Sequence, residues 1–352
     1  MPKLRVLVVD DSAFMRTAVV RMLEADGRFE VVGQGKDGLE AQRLARDLEP
    51  DVISMDFNMP GQNGAQATSA ILAQRAVPIV MLSAHTTRGA QATLQALAAG
   101  AIDFVAKPDG EVSVHLARVK DELTNKLLAA ARVNLRGLGP GSLEPLPQSS
   151  ARQPGGPARA ALRGPRVLAL AASTGGPQAL ARLLPRLNVQ KDLLVLIVQH
   201  MPEGYTRALA QQLAEGTSYP VLEAQGGEQL NGGVAYVARG GAHLMIAAGG
   251  LLALSGAAPE HGVRPAADCL FRSVASYYGA RSVGVVLTGM GKDGALGLAA
   301  IKAAGGATLA QDEASSVVYG MPKAAVQMGV VDTIAPLERI ATLVNRLVSP
   351  TP

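Results

Sequence analysis

Residues 167–177 read Val-Leu-Ala-Leu-Ala-Ala-Ser-Thr-Gly-Gly-Pro, an apolar run cut off by a hydroxyl pair and two glycines before a proline. Proline suits the first turn of a helix, where no amide donor is needed. The stretch therefore predicts a buried strand, a tight loop and a helix over Gln178 to Leu187. Ser173 then stands at the carboxyl end of a strand, beside unpaired backbone amides and the positive end of a helix dipole. Two chemistries suit that place. A nucleophilic serine needs a base and an orienting carboxylate elsewhere in the same half. A phosphate cradle needs only the glycines, with the serine capping the helix.

The same half supplies the other two groups. The apolar run Leu193 to Gln199 ends in His200-Met201-Pro202, and Val283 to Thr288 leads into Gly289-Met290-Gly291-Lys292-Asp293-Gly294. Ser173, His200 and Asp293 are each expected directly after a buried strand. If those strands are neighbours in one parallel sheet, their ends bring the three side chains to one crevice. Serine, histidine and carboxylate in one cleft are the parts for acyl transfer. The chain order Ser, His, Asp and the setting Ala-Ser-Thr-Gly-Gly argue against the α/β-hydrolase arrangement, which uses Gly-x-Ser-x-Gly with the acid before the histidine. Between these units, short strands near Val234 to Ala238, His243 to Ala247 and Leu251 to Ser255 read as a meander broken by paired glycines, followed by a helix over Ala266 to Tyr278.

The first half repeats the logic with different chemistry. Apolar runs at Leu4 to Val9, Asp51 to Met55, Pro78 to Leu82 and Ala101 to Ala106 alternate with helix-like stretches near Phe14 to Ala25, Gly38 to Leu48, Ala65 to Gln74 and Ala90 to Ala99. This alternation implies a second doubly wound sheet. Its strand ends carry Asp10, Asp11, Asp56, Ser83 and Lys107. Carboxylates there suit Mg²⁺, Asp56 suits a phosphorylated nucleophile, and Ser83 with Lys107 suits contacts to a phosphoryl group.

Between the halves, Val112 to Arg132 reads as a long helix with Leu116, Val119, Leu123, Leu127 and Leu128 on one face. Gly137 to Gly164 is a Pro/Gly-rich linker. Residues 110–164 hold eight basic and four acidic residues, so much of the formal net charge of +4 sits there. Neither folded half has the basic stripe of a nucleic-acid reader. With 352 residues, 48% hydrophobic and 18% charged, the chain suits two globular domains. No apolar run is long enough for a bilayer, and no secretory leader is read at the N-terminus, so a cytoplasmic protein is expected. The single cysteine, Cys269, is expected to be a core residue. His243 and His261 are expected to be structural or peripheral.

At Val-Val-Asp-Asp-Ser, Met-Asp-Phe-Asn-Met-Pro and Gly-Ala-Ile-Asp-Phe-Val-Ala-Lys-Pro the first half resembles a response-regulator receiver domain, a flavodoxin-like fold with five parallel strands. The resemblance implies a histidine kinase as phosphoryl donor, Phe104 as an aromatic switch residue and a Lys107-Pro108 peptide able to isomerise. The second half resembles the CheB protein-glutamate methylesterase domain at Ala-Ser-Thr-Gly-Gly-Pro, Gln-His-Met-Pro, His-Gly-Val-Arg-Pro-Ala-Ala-Asp and Leu-Thr-Gly-Met-Gly-Lys-Asp-Gly. Relatives commonly have Ser and Val where this chain has Ala266 and Ala267.

Together the resemblances imply a receiver over 1–125, a helix end and linker over 126–164, and over 165–352 a doubly wound catalytic domain with a mostly parallel sheet and a small antiparallel hairpin. They imply Ser173 as nucleophile, His200 as base and Asp293 as orienting acid, with Thr174, Gly175, Gly176 and Met290 as oxyanion or substrate contacts, while Arg264 either contacts the substrate or caps and pairs locally. They also imply methyl-accepting chemoreceptors as substrates, glutamine deamidation as a second activity, Mg²⁺ in the receiver and no cofactor for the esterase step. By the same resemblance the unphosphorylated receiver covers the catalytic crevice, and phosphorylation of Asp56 relieves it. Two rivals remain at this level: a DNA-binding output, disfavoured because no basic helix-turn-helix pattern is present, and a catalytically silent adaptor docking to receptors or kinase.

Overall fold

The computed structural model describes residues 2–84, 86–107, 112–133 and 166–348, without the side chains of 87, 88 and 112–118. The Lys107-Pro108 peptide, the linker and the Leu116 side chain lie outside the described residues. The chain divides into two compact units, residues 1–142 and 143–352.

The first unit is built on β1 (Leu4–Val9), β2 (Phe29–Gly35), β3 (Val52–Asp56), β4 (Ile79–Ala84) and β5 (Asp103–Lys107), in the order β2-β1-β3-β4-β5. All pairings are parallel. β2 escapes the apolar-run reading because Phe-Glu-Val-Val-Gly-Gln-Gly lies at the sheet edge and is only partly buried. The interleaved helices are α1 (Ala13–Glu24), α2 (Gly38–Leu48), α3 (Gly64–Gln74), α4 (Thr87–Ala98) and α5 (Val112–Ala130). Helices α1 to α4 begin at side-chain caps: Ser12, Asp37, Asn63 and Thr86 each accept a first-turn amide, and Asn63 and Gln66 form a full capping box.

The second unit holds a seven-stranded sheet in the order β14-β13-β12-β6-β7-β9-β8. Its strands are β6 (Arg166–Ala172), β7 (Leu193–Gln199), β8 (Val221–Glu223), β9 (Val234–Val237), β12 (Ser282–Val286), β13 (Ala307–Gln311) and β14 (Thr333–Ala335), all paired in parallel. β10 (His243–Ile246) and β11 (Leu252–Ser255) form a separate antiparallel hairpin. The expected three-stranded meander is thus corrected: β9 leaves it and joins β7 in the large sheet, because its alternate residues Ala235 and Val237 are needed inside the core.

Helices α6 (Gly176–Leu183), α7 (Tyr205–Glu215), α8 (Ala267–Tyr278), α9 (Ala295–Ala303), α10 (Met321–Gln327) and α11 (Leu337–Val348) cover the sheet. The predicted first helix is shorter than the sequence suggests, ending at Leu183 and passing into one 3₁₀ turn at Leu184–Arg186, with Pro185 in its middle position. Strands β6 and β7 are buried almost throughout, the pattern of central parallel strands. Their residues Val167, Ala169, Ala171, Leu194, Leu196 and Val198 share a core with Leu270, Phe271 and Val274 of α8 and Leu298 and Ile301 of α9. Each such large apolar side chain adds roughly 1.5–3 kcal/mol on burial.

The helix starts of this unit differ in kind from those of the first. α6, α7, α8, α9 and α10 begin at Gly175, Gly204, Ala266, Gly294 and Gly320, none with a side-chain cap of its own. Their first amides are therefore left to groups from elsewhere.

Candidate active site

β6 lies between β12 and β7, so the segments carrying Ser173, His200 and Asp293 are neighbours. Ala172 pairs with Gln199, and the His200 amide donates to Ala172 O at 3.1 Å, which sets Ser173 and His200 side by side at two adjoining strand ends. On the other flank the Ser173 amide donates to Thr288 O at 3.0 Å. Contrary to the expectation from the sequence, Asp293 does not follow directly upon its strand. β12 stops at Val286, and residues 287–292 form a loop that delivers Asp293 just before α9.

That loop brings the carboxylate onto the imidazole. His200 Nε2 lies 2.7 Å from Asp293 Oδ2, with the two side chains only 9% and 3% exposed. Asp293 also caps α8, since its Oδ2 accepts from the Ala267 amide at 2.6 Å and its Oδ1 from the Asp268 amide at 3.0 Å. The Gly294 amide adds a bond to Oδ1 at 2.9 Å. Burial is the largest influence on Asp293 and pushes its pKa up. The His200 hydrogen bond and charge and the two helix amides together outweigh it and hold the carboxyl below its usual value. With Nε2 engaged by Asp293, Nδ1 is the imidazole nitrogen left to meet a hydroxyl. No hydrogen bond joins the Ser173 hydroxyl to His200 among the described residues; such contacts are often long in free enzymes.

The Ser173 loop is tightly held. Ser173 O accepts from the Gly176 amide at 2.8 Å and from Gln199 Nε2 at 2.9 Å, and Thr288 Oγ1 donates to Thr174 O at 2.9 Å. Gly175 takes φ +75°, which suits glycine alone, and a Cβ there would strike Val317. The expectation that Gly176 offers an oxyanion donor is corrected: its amide is spent on the Ser173 carbonyl. The Gly175 and Met290 amides make no hydrogen bond among the described residues. Gly289 packs against the serine, where a Cβ would stand 2.8 Å from Ser173 Cβ.

Arg264 pairs locally, its Nη1 donating to Gly256 O at 3.0 Å and Ala257 O at 2.9 Å. His243 is buried and structural: Nδ1 accepts from the Ala266 amide at 3.1 Å, which makes Nε2 the protonated nitrogen facing Ala258 O. His261 pairs with Asp268. Cys269 donates to Glu260 at 3.0 Å, and burial, the largest cause, pushes its thiol up to about 12.

Sequence reading missed Gln199, Thr288, Gln311 and Asp268. Gln311 Oε1 accepts the Thr288 amide at 2.8 Å and so supports the strand end that holds Ser173. The available signal was a polar residue closing an apolar run, as Gln199 does after Leu193 to Val198.

In the first unit Lys107 Nζ lies 2.9 Å from Asp10 Oδ2 and 2.8 Å from Asp56 Oδ1, oxygens with no other partner among the described residues. Asp10, Asp11 and Asp56 each offer an oxygen within 4.8 Å of the others. Burial, the leading cause, pushes Asp56 up to about 6 against the pull of Lys107. Ser83 does not join the cluster, because its hydroxyl donates to Gly89 O at 3.1 Å. Phe104 is buried at 3% exposure, with Lys126 Nζ 5.1 Å from its ring centroid.

Comparison with known proteins finds a family for each unit. Residues 168–344 match the CheB methylesterase family, and residues 6–117 match the response regulator receiver domain family. The protein-glutamate methylesterase/protein-glutamine glutaminase of Pyrococcus abyssi is 43% identical over 351 residues, covering 98% of this chain and 94% of its own. Its counterpart in Symbiobacterium thermophilum is 44% identical over 354 residues, covering 98% and 97%. The crystal structure of the Thermotoga maritima CheB methylesterase catalytic domain is 35% identical, superposes with a TM-score of 0.51 and covers 53% of this chain and all of that one. Family matches over both units, and relatives aligned nearly end to end, lead to one conclusion: the chain belongs to the CheB family, in which a response regulator receiver domain is joined to a methylesterase domain.

Proposed function

We propose that the protein hydrolyses glutamyl methyl esters on chemoreceptors and deamidates receptor glutamines, with Ser173 as nucleophile, His200 as base and Asp293 as orienting acid. The observation that carries this reading is the 2.7 Å contact of His200 with Asp293 at the strand end adjoining Ser173. Ser173 Oγ attacks the ester carbonyl while His200 takes its proton through Nδ1. Asp293 steadies the imidazolium through Nε2. The carbonyl oxygen becomes an oxyanion facing the Gly175 and Met290 amides, each such donor worth roughly 3 kcal/mol of barrier. His200 then gives its proton to the departing methoxide, and methanol leaves. Water, deprotonated by His200, attacks the acyl-serine, freeing glutamate and the serine hydroxyl. With glutamine the departing group is ammonia.

The receiver is the switch in this reading, and a histidine kinase its phosphoryl donor. Asp10, Asp11 and Asp56 form an oxygen donor set that fits Mg²⁺, which would offset negative charge on the phosphoryl group. Asp56 is the acceptor, and Lys107, already placed between Asp10 and Asp56, meets a phosphoryl oxygen once Asp56 is modified. Phosphorylation shifts a two-state receiver and raises esterase turnover.

The test is methanol release from methylated receptor membranes with and without a small phosphodonor. The parent releases methanol and responds to the donor, Asp56→Asn keeps the basal rate without the response, and Ser173→Ala releases none. Full turnover by Ser173→Ala overturns the serine mechanism, and receptor docking without methanol release by the parent identifies a silent adaptor instead.

A further inference from the structure

The starts of α8 and α9 cap each other. Asp293, which precedes α9, accepts the first two amides of α8 at 2.6 and 3.0 Å. In return Asp268, in the first turn of α8, accepts the Gly297 amide of α9 at 2.6 Å through Oδ1. Neither helix has a side-chain cap at its own N-cap residue, Ala266 or Gly294. The exchange needs close helices, and Gly297 allows it: a Cβ there would strike Phe271 Cβ and approach Asp268 Oδ1 to 3.1 Å.

The second oxygen of Asp268 is also spoken for. Oδ2 lies 2.8 Å from His261 Nε2, with the Asp268 side chain fully buried and His261 19% exposed. Thus two His–Asp pairs, His200–Asp293 and His261–Asp268, stand back to back across one helix start. Glu260 lies close enough to complete a cation-ligand trio with His261 and Asp268. Arg272 instead holds both Glu260 oxygens at 2.9 and 2.6 Å, so the group is an ion-paired network.

We infer that Asp268, oriented by His261, is a positioning residue for Asp293: it locks α8 to α9 so that the carboxylate presented to His200 cannot rotate away. The inference rests on the proposed triad. Its physical basis is that Asp293 is aimed by backbone amides of α8, and the place of those amides relative to the Asp293 loop is set by the Asp268 to Gly297 bond. Displacements well under an ångström at such a group cost turnover, not substrate binding.

Methanol release from methylated receptor membranes tests it, with kcat and KM separated and folding followed by circular dichroism. Asp268→Ala is expected to lose about tenfold to a hundredfold in kcat with KM nearly unchanged. Asp268→Asn keeps an acceptor for the Gly297 amide and is expected to recover most of that loss. His261→Ala, at a partly exposed site, is expected to lower kcat about threefold or more, and decides the matter alone if Asp268→Ala does not fold. Parent-like kcat in a folded Asp268→Ala or in His261→Ala overturns the inference, as does an asparagine variant no better than alanine. Ser173→Ala, run alongside, separates the two levels: its full turnover would sink the triad, whereas its silence leaves Asp268 to be judged on its own variants.

Discussion

The side-chain oxygen of Gln199 packs so closely on the α-carbon of Gly176 that a Cβ there would overlap it and reach within 2.8 Å of Ala172 Cβ. Gln199 Nε2 meanwhile bridges the carbonyls of Ser173 and His200 at 2.9 and 3.3 Å. One amide thus holds both the proposed nucleophile and its base. Gly176→Ala is expected to expel Gln199, to cost roughly 1–3 kcal/mol in denaturation and to lower methanol release at least about tenfold. Gln199→Ala, which removes the bridge without crowding, should lower turnover comparably. Normal rates in both would show that the bridge is not needed.

Asp293→Asn keeps the shape of the carboxylate and removes its charge. A loss in kcat of about a hundredfold to ten-thousandfold is expected, because the imidazolium loses its partner. Stability should respond as well. The folded pKa of Asp293 is depressed below 3.8, so its ionised form stabilises the fold above that value, and the contribution is lost as pH falls through the folded pKa. The parent should therefore exceed the variant in denaturation midpoint near pH 7, and the gap should close below about pH 4.

Asp56 gives the opposite sign. Its folded pKa of about 6 exceeds the usual 3.8, so ionisation costs stability that is present at lower pH and lost as pH rises through 6. Asp56→Asn is expected to raise the melting temperature of the receiver more at pH 8 than at pH 5. An equal shift at both values would show that Asp56 carries no ionisation penalty.

Cys269 should be nearly inert while the protein is folded. With its thiol pushed up to about 12 by burial and by Glu260, little thiolate exists at neutral pH. Iodoacetamide labelling at pH 8 is expected to run about a hundredfold or more slower than for a free cysteine, and to recover in denaturant. Rapid labelling of the folded chain would contradict the raised thiol pKa of this half-buried residue.

How much of this was legible in the sequence follows from how local each signal is. A strand that must be buried on both sides shows itself as a mainly apolar run, and so β1, β6 and β7 are readable, together with the groups that end them: Asp10, Ser173 and His200. Half-buried edge strands such as β2 carry no such run. β9 reads from the sequence as part of a meander because periodicity tells that a segment is extended and not which strand it pairs with.

The sequence alone established the two alternating halves and the residue types waiting at their strand ends, because burial and chain stiffness act within a few residues. Only the tertiary structure decided what those residues touch. It ordered β12, β6 and β7 side by side, swung Asp293 through a loop onto His200, turned Ser83 toward Gly89, spent the Gly176 amide on Ser173 and set Asp268 against α9. Hydrogen bonds reach about 3 Å in space and are indifferent to separation along the chain. Partners such as His200 and Asp293 are therefore fixed by packing, and no local pattern records them.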